Sequence, residues 1–407
     1  MIITTRGWEK RMSNKKKTIG YFLVVAICYM YIATMTSSFG IQFDIIGVGQ
    51  RRAQLLIMVT LIGIICVISG RMLAYNNILK SGALLMFYMF ILGTNQNGNL
   101  ASWISCSVMW YFILLIIYNM NFCSEDIIAI APILLGTSVA LSAVYLYGIL
   151  NKHTILSVAS SNSIYYVLCA LPFVFLIPKI KWQLIGLFVA SASILISGKG
   201  TCLLSLAIIW AIFAVKYINP KTVSISKIMI RLGIVVLFLI VLAAVLQTQT
   251  NMKISEVFGD TWSELTSGGN GRSEIYASAW NEFVKSDFWS QLVGHGFGWI
   301  DSAISIGTHN DFLMVLCNYG LIGFLLYLSF WLCLIQSIFQ LKKMESEFLL
   351  AYEVSVIAFF AVSMGSNVLN TQIQFLLLCV LWGMCSPHRC RNNSDIGDQY
   401  ENCTCNS

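Results

Sequence analysis

Apolar runs of about 15 to 24 residues recur along the whole chain, each long enough, or nearly so, to cross the ~30 Å hydrocarbon core of a bilayer as a helix. About twelve can be counted, at 21–35, 55–70, 81–93, 101–118, 127–150, 163–177, 182–197, 201–215, 228–246, 311–339, 348–364 and 372–386. A soluble interior has no room for so much apolar surface. Of the 407 residues 57% are hydrophobic and 11% charged, where a soluble chain carries about 25% charged. Disorder, a disulfide scaffold and a cytosolic enzyme are thereby excluded. With 29 glycines and 5 prolines the composition suits close-packed membrane helices, whereas a β-barrel would alternate in segments of about ten residues. The expected fold is an all-α polytopic membrane protein of about twelve transmembrane helices, one membrane domain over 1–407.

In such a chain the formal charge of +7 speaks of orientation and not of nucleic acid. Arg6, Lys10, Arg11, Lys15, Lys16 and Lys17 precede the first run and resist translocation, and no cleavage motif follows. Threading twelve helices from a cytoplasmic N-terminus puts 18 of the 25 lysines and arginines inside, with the C-terminus. Arg51, Arg52, Lys152, Lys199, Lys253, Arg272 and Lys285 fall outside.

Connections are short except one. Residues 247–310, between the ninth and tenth runs, form an outer-face loop far above the usual connection length, which marks it as functional. Within it, 273–284 reads as a short amphipathic helix suited to the membrane interface: Ile275, Ala279 and Phe283 recur every four residues beside Tyr276, Trp280 and Val284. The 13 cysteines lie mostly in apolar runs or in the final stretch, none in this loop, so no disulfide framework is implied.

Familiar catalytic motifs are missing. The sequence holds no HExxH, paired CxxC or GxSxG, and Ser197-Gly198-Lys199-Gly200-Thr201 lacks the spacing of a phosphate loop. What remains is a set of polar residues on the outer side. Lys199 stands between glycines at the turn joining the seventh and eighth runs. Arg272 opens the amphipathic helix, where free N–H groups favour an anion. His295 lies in Gly294-His295-Gly296-Phe297-Gly298, and His309-Asn310 where the loop re-enters the membrane. A guanidinium fork and a compact ammonium suit a diphosphate, and a histidine takes a proton from a sugar hydroxyl at ambient pH. Position alone leaves plainer roles open: Lys199 as a headgroup anchor, Arg272 as a solvated helix-start residue, His295 as a turn residue, His309 as neighbour to a helix cap. Arg51 and Arg52 suit headgroup contact as well as substrate binding.

The stretches 294–298, 308–324 and 269–283 give the chain a resemblance to the O-antigen polymerase and ligase superfamily of bacterial membrane glycosyltransferases. The resemblance implies a GT-C-like helical fold in the bacterial inner membrane, with the active site on the periplasmic face. It implies Arg272 on the diphosphate of an undecaprenyl-diphosphate-linked oligosaccharide and His309 at the acceptor hydroxyl. Asn310 and His295 are further candidate substrate contacts. Where the family often has an arginine after serine, this chain has Lys199. Neither metal nor cofactor is expected. Membrane lipid and a chain-length regulator protein are the implied partners. The reading is a polymerase that moves a growing glycan onto an incoming lipid-linked repeat unit. Its alternatives are a ligase with a lipid A core acceptor and, from another class, a polysaccharide flippase or transporter.

Overall fold

The computed structural model describes residues 5–39, 76–93, 103, 105–152, 162–217, 272–366, 369 and 372–387, and among them every regular element is helical. Ten of the twelve apolar runs fall there and each is helical; the runs at 55–70 and 228–246 lie outside the described residues, as do Arg51, Arg52 and Lys253. Five helices are long and apolar enough to cross a membrane: Lys17–Ser38, Ser124–Ile149, Ile180–Ser197, Gly200–Tyr217 and Asp311–Lys343. Outward side chains on these helices, and on the shorter Asn77–Leu92, fit that reading. Phe22, Leu84, Phe87, Leu204, Leu332 and Phe339 are each more than half exposed, which water would penalise and lipid does not.

Contacts at the helix ends establish two opposite ends of the bundle. α1 (Thr5–Ser38) and α4 (Ser124–Lys152) run parallel, with Lys17 paired to Asp126 at 2.6 Å at one end and Phe39 against Tyr145 at the other. The hydroxyl of Tyr21 donates to the same carboxylate at 3.0 Å. α2 (Asn77–Leu92) starts at the Lys17 end, capped by Asn76, whose amide also donates to Ser386 at 2.6 Å. α3 (Trp110–Asn119) returns toward that end. α5 (Ile164–Ala170) continues as a 3-10 turn, Leu171–Leu176, from which α6 (Ile180–Ser197) climbs back. Gly198, with a left-handed φ of 63°, ends α6 and turns the chain into α7 (Gly200–Tyr217).

Lys179, Lys181, Lys216, Lys342 and Lys343 all belong to the Lys17 end, while Ser38 meets Ser163 at 3.0 Å at the other. Phe39 and Asn76 therefore stand at opposite ends, and so do Tyr217 and Arg272.

The described part of the long loop carries three short helices, α8 (Arg272–Lys285), α9 (Phe288–Val293) and α10 (Trp299–Ala303). α8 matches the amphipathic helix expected at 273–284, but its apolar side is divided. Ala279 is buried against the chain that follows, where Cys317 Sγ approaches its carbonyl at 3.6 Å, whereas Trp280 and Val284 face outward.

α11 (Asp311–Lys343) corrects one expectation. The run 311–339 reads as a single helix, yet Gly320 breaks it with φ 64° and ψ −171°. Beyond that break the chain reverses. Phe312 packs on Tyr327 with ring centroids 5.3 Å apart and on Trp331 at 5.9 Å, although a straight helix would set Phe312 and Trp331 about 28 Å apart. Only 321–343 has the course of a crossing. Residues 311–319 form a re-entrant arm folded back beside it, tolerable in a membrane protein because neighbouring helices bury the irregular backbone. α12 (Leu349–Gly365) and α13 (Leu376–Met384, after a 3-10 turn at Gln372–Phe375) complete the bundle. α13 is buried on every side, with Gly383 so close to Ile117 of α3 that a Cβ there would sit 2.8 Å from its Cγ2.

Candidate functional site

The reversal at Gly320 is built from two glycine backbones in contact. A Cβ on Gly320 would lie 2.6 Å from the Gly294 nitrogen and the Leu292 carbonyl oxygen, and one on Gly294 (φ 98°) would overlap the Asn318 carbonyl and the Tyr319 backbone. Two hydrogen bonds fasten the arm to the clamp, and a third ties the clamp to α2. The Gly296 N–H donates to the Asn318 carbonyl at 2.7 Å, the Ile300 N–H to Asn318 Oδ1 at 2.9 Å, and Tyr88 of α2 to the Val293 carbonyl at 2.9 Å. The glycine-rich 294–298 stretch is thus the clamp on the arm's far end.

At the near end stand His309 and Asn310. Asn310 caps the arm by accepting from the Leu313 N–H at 3.2 Å, and Thr308 donates to the Asn310 carbonyl at 3.2 Å. Between them His309 takes a left-handed backbone, φ 51°, a conformation uncommon outside glycine that histidine adopts more readily than most residues. The Asn310 side chain is buried toward Met364 at the end of α12, where it helps hold the arm.

Lys199 arrives from the α6–α7 turn. Its ammonium donates to Asn162 Oδ1 at 2.7 Å and lies over the Tyr165 ring, 5.0 Å from the centroid. The Tyr165 hydroxyl donates to the Gly365 carbonyl at 2.9 Å and meets Thr201 Oγ1 at 3.3 Å, and any Cβ on Gly365 would strike it. Arg272, at the start of α8, is close enough to act on this hydroxyl. Burial pushes the His309 imidazole below its ordinary pKa, and the charges of Arg272 and then Lys199 push it further, so the ring is held neutral beside two cations. Lys199, Arg272 and His309 are all partly exposed and open to a ligand.

Three sequence candidates therefore meet at one place, delivered by the α6–α7 turn, α8 and the re-entrant arm. His295 does not join them. Its Nε2 is 2.8 Å from Ser286 Oγ and its ring stacks on Trp299 at 3.7 Å, near the Gly320 end of the arm, about 13 Å of helix from His309. Burial lowers its pKa, opposed by Asp287. Asn162, Tyr165 and Gly365 escaped sequence reading, since each lies in an ordinary apolar or serine-rich stretch and acquires its role only through contacts across the bundle, while Thr201 stood out only as the end of the Lys199 turn.

Over the described residues, fold and site together define an all-helical protein with helices long and apolar enough to cross a membrane and with two cations and a histidine gathered at one end. No protein-family model matches the chain, and no curated protein matches it either.

Proposed function

We propose that this chain is a metal-independent membrane glycosyltransferase that uses a glycan carried on a polyprenyl diphosphate, specifically a surface-polysaccharide polymerase. The observation that carries the reading is the convergence of Lys199, Arg272 and His309 around Tyr165 and the Met364–Gly365 end of α12. Arg272 grips the diphosphate bidentately, and Lys199, fixed by Asn162 and Tyr165, neutralises the second phosphate. His309 takes the proton from the acceptor hydroxyl as its oxygen bonds to the anomeric carbon. The bond from that carbon to the phosphate oxygen breaks, and the diphosphate leaves with the electron pair, stabilised by both cations. The imidazolium then returns its proton to water.

Asn310 neighbours Met364, and Ser363 binds Tyr327 at 3.1 Å, seven residues beyond Gly320, so the site is recessed about 10 Å below the Gly320 turn. A lipid-borne diphosphate would have to be drawn below the headgroup layer to reach it, which Lys199 and Arg272 would favour. The opposed positions of Phe39 and Asn76, and of Tyr217 and Arg272, support an even crossing number of about twelve, and the lysines of the opposite end support a cytoplasmic face there.

The test is conversion of purified lipid-linked repeat units into glycan ladders, with donor binding measured separately. His309→Ala should bind donor yet extend it roughly 10²- to 10⁴-fold more slowly. Arg272→Lys should bind donor poorly despite its conserved charge. Ladders at the wild-type rate from His309→Ala would remove the base assignment, and a wild-type protein that joins glycan only to lipid A core would make it a ligase.

A further inference from the structure

The α8–α9 corner carries an aromatic patch that no described element covers: Trp280 is 51% exposed, Phe288 68% and Trp289 69%, with Val284 beside them. Its height relative to a bilayer follows from the neighbouring helix. On 321–343 the outward apolar side chains begin at Leu321 and end at Phe339, just before Lys342 and Lys343. The eighteen steps from Leu321 to Phe339 rise about 27 Å along the helix, close to one hydrocarbon thickness. Leu321, directly after the break, therefore marks the hydrocarbon boundary.

α9 is tied to that boundary by its own C-terminus, because the Leu292–Gly294 backbone touches Gly320 and Tyr88 donates to the Val293 carbonyl. With six residues α9 is about 9 Å long, so Phe288 and Trp289 lie within about 9 Å of the boundary whichever way it points. The headgroup layer spans roughly that distance. α9 also rests on α2, whose Phe87 and Ile91 face outward at the same level. Exposed Lys285 and Asp287 flank the aromatics, the pairing of apolar ring and charge that favours an interface over either pure phase.

We propose that Trp280, Val284, Phe288 and Trp289 form a lipid anchor, seated in the headgroup and acyl boundary of the outer leaflet, that holds the α8–α9 corner and through it the Gly294–Gly320 clamp. The surface does not depend on the enzymatic reading. It is tested on the full chain in nanodiscs of phosphatidylethanolamine and phosphatidylglycerol, with the photoreactive residue p-benzoylphenylalanine placed at position 289 or, as the lipid-facing reference, at 321. Irradiation should yield lipid adducts at both positions. Adducts at 321 with none at 289, or crosslinks from 289 to a second copy, would overturn the proposal. A second measurement leaves the patch nearly intact: in bilayers of brominated phospholipid, Trp289→Phe should lower the lipid-quenched share of tryptophan emission relative to wild type. An unchanged share would overturn it as well.

Discussion

Replacing Gly320 with alanine tests the fold-back directly. With φ 64° and ψ −171° the position falls in a region open to glycine almost alone, where any other residue costs about 1–3 kcal/mol. The added methyl would also stand 2.6 Å from two backbone atoms, the Gly294 nitrogen and the Leu292 oxygen, which cannot swing aside as a flexible side chain would. Such overpacking adds about 1–3 kcal/mol, so Gly320→Ala should destabilise the protein by about 2–6 kcal/mol. Gly298 is the internal control. Its φ of 76° is also left-handed, yet a Cβ there meets nothing within 4 Å, so Gly298→Ala should cost only about 1–2 kcal/mol. Gly294→Ala should resemble Gly320→Ala, and the double variant should fall short of the sum, because either methyl already opens the same contact. Thermal melting of detergent-purified protein, followed by tryptophan emission and size exclusion, ranks the four. Equal melting temperatures for Gly320→Ala and Gly298→Ala would refute the interlocked backbones.

His309, pushed below its ordinary value by burial, Arg272 and Lys199, should stay neutral under mildly acidic conditions, so the acid limb of the rate profile should lie below pH ~6.5 and rise toward it in Lys199→Gln. The sign for stability is the same: the folded state resists protonation, so stability is lost as pH falls from ~6.5 through the lowered value, and His309→Gln should melt with less acid sensitivity than wild type. Tyr165→Phe keeps the ring beneath Lys199 but removes the donor to the Gly365 carbonyl, and should weaken lipid-diphosphate binding about 2- to 10-fold, with Tyr165→Leu worse. Cysteines placed at Lys285 and at Lys343 should react with impermeant thiol reagents from opposite faces of sealed vesicles; labelling from the same face would contradict the assignment of the two ends.

Helices were legible wherever apolar composition alone decides them, because lipid permits little but a helix to span it. The 273–284 helix was legible too, from its four-residue repeat. The reversal at Gly320 was not. Residues 311–339 are continuously apolar, a glycine inside such a run is ambiguous, and the partner that makes it a turn, Gly294, lies 26 residues earlier in a different element. His295 and His309 show the same limit in the site. Both sit beside glycine or threonine in the stretch before the 311–339 run, and only packing separates the ring stacked on Trp299 from the one near two cations. Lys199 and Arg272 stood out by charge and position, and the fold brings them together, whereas Asn162 and Tyr165, which hold the lysine in place, carry no local signal.

The seating of α13 against α3 has a consequence for how the protein is made. Ile117 and Gly383 touch across 266 residues of chain. At about 5–20 residues per second, α3 waits roughly 15 to 50 seconds after its own synthesis for the helix that covers it. Gly365, which receives the Tyr165 hydroxyl, arrives 200 residues after its partner. A ribosome stalled before residue 376 would leave inserted helices with lipid where the α13 core belongs, and a chaperone or quality-control protease would meet an exposed α3 face carrying Ile117.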